Sequence, residues 1–185
     1  LSPGGCTITA EGLSMNNFKK SILLLIVMGV VYLNLEIFMR AMRGDLFKTG
    51  FHNVKWISLA GWTSLWMFFI GGFSGLFIGF LNEEIKGIPN VHVPLWVQCL
   101  IGTFGVFLIE LSSGFILNVQ LKLNIWTYEG WPLNIMGQIT LLYIPLWFLL
   151  VPFVIWLDDI ARHLLFQEEK PGTLISVYKK LFKGQ

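Results

Sequence analysis

Glu110, Gly114 and Asn118 recur at four-residue intervals inside an apolar stretch, a spacing that sets them in one stripe along a helix. A carboxylate in such surroundings is costly unless it is protonated, paired or turned toward a polar cavity. Glu110 is therefore the first candidate for chemistry, as a proton- or cation-coupling group. The competing reading is structural, a hydrogen bond from Glu110 to a loop backbone. Glu36 and Arg40 also stand four apart and are expected to meet on one helical face as an interfacial ion pair. Gly71, Gly75 and Gly79, with Gly72 and Ser74 beside them, form a stripe of small residues that lets two helix backbones approach closely. A packing seam is the expectation, and room for a substrate or a bend is the alternative.

Soluble-enzyme constellations are absent from the 185 residues. There is no glycine-rich phosphate loop ending in Lys and Ser/Thr, and no Gly-x-Ser-x-Gly nucleophile turn. His52, His92 and His163 fall in separate loops or tails, and Cys6 and Cys99 are far apart, so no metal site, cofactor or disulfide framework is expected. The net charge of +2 is too small to argue for nucleic acid.

The elements that position these residues follow from composition. The chain is 55% hydrophobic and only 13% charged, which makes a bilayer the expected solvent. A spanning helix needs roughly 20 mostly apolar residues. Four stretches qualify: Ser21 to Met39, Ile57 to Leu81, Val93 to Leu117, and Ile139 to Leu157. The third opens on Pro94, where a first-turn proline costs no helix bond. The fourth contains Pro145 and Pro152 and is expected to stop at Asp158-Asp159. The predicted fold is an all-α membrane protein, a small bundle of four transmembrane helices. Asn118 to Gly137 is too broken by Lys122, Glu129 and Pro132 to span. It reads as a re-entrant or interfacial loop between helices three and four, with Trp126, Tyr128 and Trp131 at headgroup level.

Three regions result. Residues 1–20 are a polar tail, 21–159 the transmembrane domain, and 160–185 an amphipathic basic tail. Leu1 to Ser14 lacks the apolar core of a signal peptide, and Met15-Asn16-Asn17-Phe18-Lys19-Lys20 reads as a bacterial start preceded by an extension. In the tail, Leu174, Val177, Tyr178, Leu181 and Phe182 recur at helical spacing opposite Lys179, Lys180 and Lys183, a pattern suited to an anionic membrane surface. With the N-terminus in the cytosol, eight basic residues (Lys19, Lys20, Lys86, Arg162, Lys170, Lys179, Lys180, Lys183) lie inside. Five (Arg40, Arg43, Lys48, Lys55, Lys122) lie outside. The bias predicts a multi-pass protein of the bacterial cytoplasmic membrane with both termini cytosolic.

Several runs carry a family resemblance: Glu110-Leu-Ser-Ser-Gly114-Phe-Ile-Leu-Asn118, Leu121-Lys-Leu-Asn-Ile-Trp126-Thr-Tyr128, Pro132-Leu-Asn134-Ile-Met-Gly137-Gln138-Ile139, Trp147-Phe148 and Asp158-Asp159. Together with Trp62-Thr-Ser-Leu-Trp66-Met-Phe-Phe-Ile-Gly71-Gly72 and Leu81-Asn82-Glu83, they resemble the bacterial membrane family called ABC-transporter type IV, or CmpB-like. The resemblance covers approximately Val31 to Asp159. The family pattern has Trp-Asp-Tyr-Ser where this chain has Trp126-Thr127-Tyr128-Glu129, so the acidic position is displaced by two. The resemblance implies a permease. With no nucleotide-binding motif in this sequence, an ATP-driven version requires a separate ATPase subunit. It also implies that Glu110, Asn118, Trp126, Tyr128, Asn134 and Gln138 converge where the loop folds back on helices three and four. The competing reading is that they only cap helices and anchor the loop.

The leading expectation is a small permease or transporter component for a small molecule or ion, as a homodimer because four helices enclose little volume. The alternative is a non-transporting membrane module, such as a sensor, an assembly partner or a holin-like pore former that oligomerises through the glycine seam. A membrane-embedded enzyme built on Glu110 ranks last, because no second acid or nucleophile is paired with it in the sequence.

Overall fold

A computed structural model describes residues 16–43, 62–87 and 93–184. The order is α1 (Asn17–Arg43), α2 (Trp66–Gly87), α3 (Leu95–Gly114) running into a π-helical turn (Phe115–Gln120), a hairpin of β1 (Asn134–Ile135) and β2 (Ile139–Thr140), a 3-10 turn (Leu141–Tyr143), α4 (Ile144–Phe166) and α5 (Leu174–Phe182). Among the described residues four helices are long and apolar enough to cross a membrane, which makes the chain an all-α membrane protein built on a four-helix bundle. Residues 1–15, including Cys6, and the stretches that hold Lys48, His52, Lys55 and His92 lie outside the described residues.

The helices run up and down in alternation. Lys20 at the start of α1 pairs with Glu168 just beyond α4 at 2.7 Å, whereas Arg40 near the end of α1 reaches the carbonyl of Ile125, beyond α3. One end of the bundle therefore carries the start of α1, the end of α4 and α5. The other carries the hairpin loop.

Small residues set the spacing between α1 and α2. A Cβ on Gly71 would collide with the side chain of Tyr32, and one on Gly75 would sit 2.5 Å from Met28. One on Gly79 would sit 2.6 Å from the Asp158 carboxylate of α4. The glycine stripe is thus buried within the chain, against α1 and α4, and in this arrangement offers no surface to a second copy. Without a hydrophobic driving force between helices in lipid, such close contact is what holds a bundle together. The outer face of α3 carries Trp96, Leu100, Phe104 and Leu108, all exposed. Their four-residue spacing makes an apolar stripe suited to lipid, opposite the buried Gly102, Gly105 and Val106.

Two expected boundaries move. Asp158-Asp159 do not end the fourth helix, because α4 continues to Phe166 and stops only at Gln167, whose φ of 58° is left-handed. The two carboxylates are paired rather than solvated. Arg162 donates to Asp158 at 2.6 Å, and Asn82 and Lys86 of α2 donate to Asp159 at 3.2 and 2.8 Å. The transmembrane-to-tail division at residue 159 therefore falls inside a helix. Pro145 lies in the first turn of α4 and only Pro152 inside it, so just one proline withholds a helix hydrogen bond. The second helix begins at Trp66, leaving Trp62 ahead of it. In the tail, Thr173 caps α5 by accepting from the Ser176 amide. Leu181 is buried beside Cys99, Val151 and Ile155, so α5 is docked on the bundle, with Lys179, Lys180 and Lys183 exposed.

Candidate functional site

The site is built at the loop end by two polar stripes that face each other. On α1 the stripe is Tyr32, Glu36 and Arg40. On α3 and its π turn it is Glu110, Gly114 and Asn118. The hydroxyl of Tyr32 donates to Glu110 Oε1 at 3.1 Å. Arg40 Nε donates to Glu36 Oε1 at 2.7 Å, and its Nη2 reaches the Ile125 carbonyl at 3.3 Å. The guanidinium thereby ties the loop to α1.

The loop is held by a short network. In the π turn the amide of Leu121 bonds back five residues to Ile116 at 3.0 Å, and Asn118 is buried. Its Oδ1 accepts from the Ile125 amide at 2.8 Å and its Nδ2 donates to Gln138 Oε1 at 2.9 Å. Trp126 Nε1 donates to the Gln138 carbonyl at 2.8 Å. Gly114 leaves room for both partners, since a Cβ there would stand 2.7 Å from Gln138 and 3.0 Å from Trp126. The chain reverses at Met136 and Gly137, both with positive φ, as the primed turns of tight hairpins require. Irregular backbone of this kind is tolerated beside a membrane where protein or a water-filled cavity satisfies it.

Two chambers result. The larger, about 650 Å³, is walled by Glu36, Arg40, Glu110, Asn118, Trp126, Tyr128, Trp131 and Gln138, with Met67 and Ile70 of α2 behind them. The smaller, about 150 Å³, runs between α1 and α4 and is mostly apolar, with Met28, Val31, Leu146 and Leu150 among its walls. Tyr32, Glu36, Glu110 and Tyr128 belong to both. Aromatic rings brace the boundary. Tyr32 stacks on Trp147 with centroids 6.0 Å apart and planes 6° apart, and Tyr128 meets Trp131 and Tyr143 edge-on at 6.0 and 5.7 Å.

Of the six residues expected to converge, Glu110, Asn118, Trp126, Tyr128 and Gln138 line the larger chamber. Asn134 does not. It is exposed and braces the hairpin, its Nδ2 donating to the Trp131 carbonyl and its Oδ1 accepting from the Gly137 amide. Glu36 and Arg40, expected as a plain interfacial pair, are part of the chamber wall. Tyr32 is not among the residues singled out from the sequence, although its four-residue spacing ahead of Glu36 and Arg40 is a legible signal. Also missed is a second polar seam at the opposite end, where the carboxylates of Glu83, Asp158 and Asp159 come within 4.8 Å of one another. Lys86 lies between Glu83 and Asp159 and Arg162 on Asp158, so that seam is an ion-pair network joining α2 to α4.

Fold and site together define a multi-pass membrane protein with a half-open, mixed polar and aromatic cavity at one end of its bundle. No protein-family model matches the chain, and no solved structure matches it either.

Proposed function

We propose that this chain is a small permease or transporter component of a bacterial cytoplasmic membrane, and that the two-chambered cavity holds its cargo, a small amphiphilic molecule or ion. One observation carries the reading. A carboxylate borne on a spanning helix, Glu110, lines a chamber of about 650 Å³, and intramembrane ionisable groups that line a cavity mark substrate or ion pathways. The resemblance to CmpB-like proteins supports transport, with a separate ATPase subunit as the energy source. The eight-to-five basic bias supports cytosolic termini, which would turn the loop end and its cavity toward the outside.

The test is uptake by proteoliposomes of a panel of small amphiphiles of each charge sign, comparing wild type with Val119→Trp. Val119 lines the larger chamber and is itself exposed, so an indole there fills the cavity without entering the core. Uptake that is lost in Val119→Trp supports the reading. Uptake that Val119→Trp leaves unchanged would overturn it.

A further inference from the structure

We propose that the cavity selects an organic cation, an ammonium group carried on an apolar body, over anions and neutral solutes. This inference rests on reading the cavity as a binding site and adds the chemistry of what enters it.

The charge inventory of the chamber is one-sided. Glu36, Glu110 and Glu129 line it, and Arg40 is the one basic side chain among its described lining residues. Arg40 is already engaged, bonded to Glu36 and to the Ile125 carbonyl, and it is buried. Glu110 has no basic partner among the described residues. Its Oε1 accepts from the neutral Tyr32 hydroxyl, and its Oε2 receives no hydrogen bond from the described residues. An anion entering would meet this carboxylate and the Glu36–Arg40 pair, with no uncommitted positive charge among the described lining residues to receive it. A cation would find an acceptor already oriented.

The remaining walls fit the rest of such a ligand. Trp126, Tyr128 and Trp131 line the same chamber, and aromatic faces attract ammonium groups, more strongly where water is excluded. Glu110 and Tyr128 also border the small apolar chamber. A ligand with its charged head at Glu110 can therefore lay an apolar tail between α1 and α4. A small inorganic ion would leave that second chamber without a role.

The test uses three water-soluble probes of matched size: 4-phenylbutylammonium, 5-phenylpentanoate and 4-phenylbutanol. Equilibrium dialysis against the purified full chain in detergent measures their binding. The expected result is that the ammonium binds wild type roughly tenfold more tightly than either other probe, the scale of one charge-assisted contact. Glu110→Gln should erase that preference, while Leu108→Ala, on the outer face of α3, should keep it. Because the charge preference of wild type is read without any variant, a misfolded Glu110→Gln protein does not hide the answer. Equal binding of all three probes, still blocked by Val119→Trp, would overturn the cation selectivity and leave the cavity reading intact. Binding of none, or binding that Val119→Trp does not change, would overturn both.

Discussion

The Tyr32 hydroxyl donates to Glu110 Oε1 across 3.1 Å, joining residues 78 apart in the chain and helices α1 and α3 at the wall shared by two chambers. The bond gives a carboxylate on a spanning helix one fixed partner and leaves its other oxygen for the cavity. Tyr32 is itself held by its stack on Trp147, so α4 takes part in aiming the group.

Replacing Tyr32 by Phe keeps that stack and removes the donor. Leaving Glu110 without it should cost about 1–3 kcal/mol, the penalty of a polar group deprived of its partner. Thermal unfolding in detergent is the measurement. A Tyr32→Phe protein that melts with wild type would show that the bond does not hold α1 to α3.

The glycine seam makes a sharper claim about packing. Gly75→Leu must displace Met28, and overpacking of this kind costs about 1–3 kcal/mol or more, so the yield of monodisperse protein should fall. Gly87→Leu, with no described atom within 4 Å of its Cβ, should behave as wild type. Equal yields from both variants would mean that α1 does not lie on the seam.

Much of this architecture was legible because a bilayer imposes a length of apolar sequence on any helix that crosses it. The i, i+4 rule likewise made the Glu36–Arg40 pair and the Glu110, Gly114, Asn118 stripe readable on single helices. What escaped were partnerships between helices. Asp158-Asp159 resembled a stop signal because Lys86 and Asn82, more than 70 residues earlier, gave no local hint of pairing with them. Tyr32 gave no sign of meeting Glu110 for the same reason. Asn134 belongs by sequence with the cavity residues, yet its side chain serves the turn at Met136 and Gly137, because Asn favours local backbone bonds in tight turns.

Gln138 is the residue on which the loop network converges. Gln138→Ala removes the acceptor of the buried Asn118 amide and should destabilise the loop by about 1–3 kcal/mol. The bond from Trp126 to the backbone carbonyl is retained, so the loop should loosen without detaching. Hydrogen exchange at Ile125 and Tyr128, whose amides bond to Asn118 and Gly137, should accelerate while α2 stays protected. Unchanged exchange at both would remove Gln138 from its anchoring role.

Topology is checked by reporters. A fusion after Gln185 should read cytosolic and one at His52 external, given the basic bias and the four spans that bring the start of α1 and the end of α4 together. A C-terminal reporter on the outside would reverse the orientation proposed for the cavity.

The central claim is that Glu110 faces an aqueous cavity while Leu108, two residues earlier, faces lipid. Single cysteines at positions 108 and 110, with Cys6 and the buried Cys99 replaced by Ser, can be treated in intact membranes with a charged, membrane-impermeant maleimide. Glu110→Cys should be labelled, and the labelling should be suppressed when Val119→Trp is added. Leu108→Cys should stay unreacted until detergent is supplied. Labelling at 108 with none at 110 would contradict the account, placing the carboxylate on the lipid side of α3 and the cavity elsewhere.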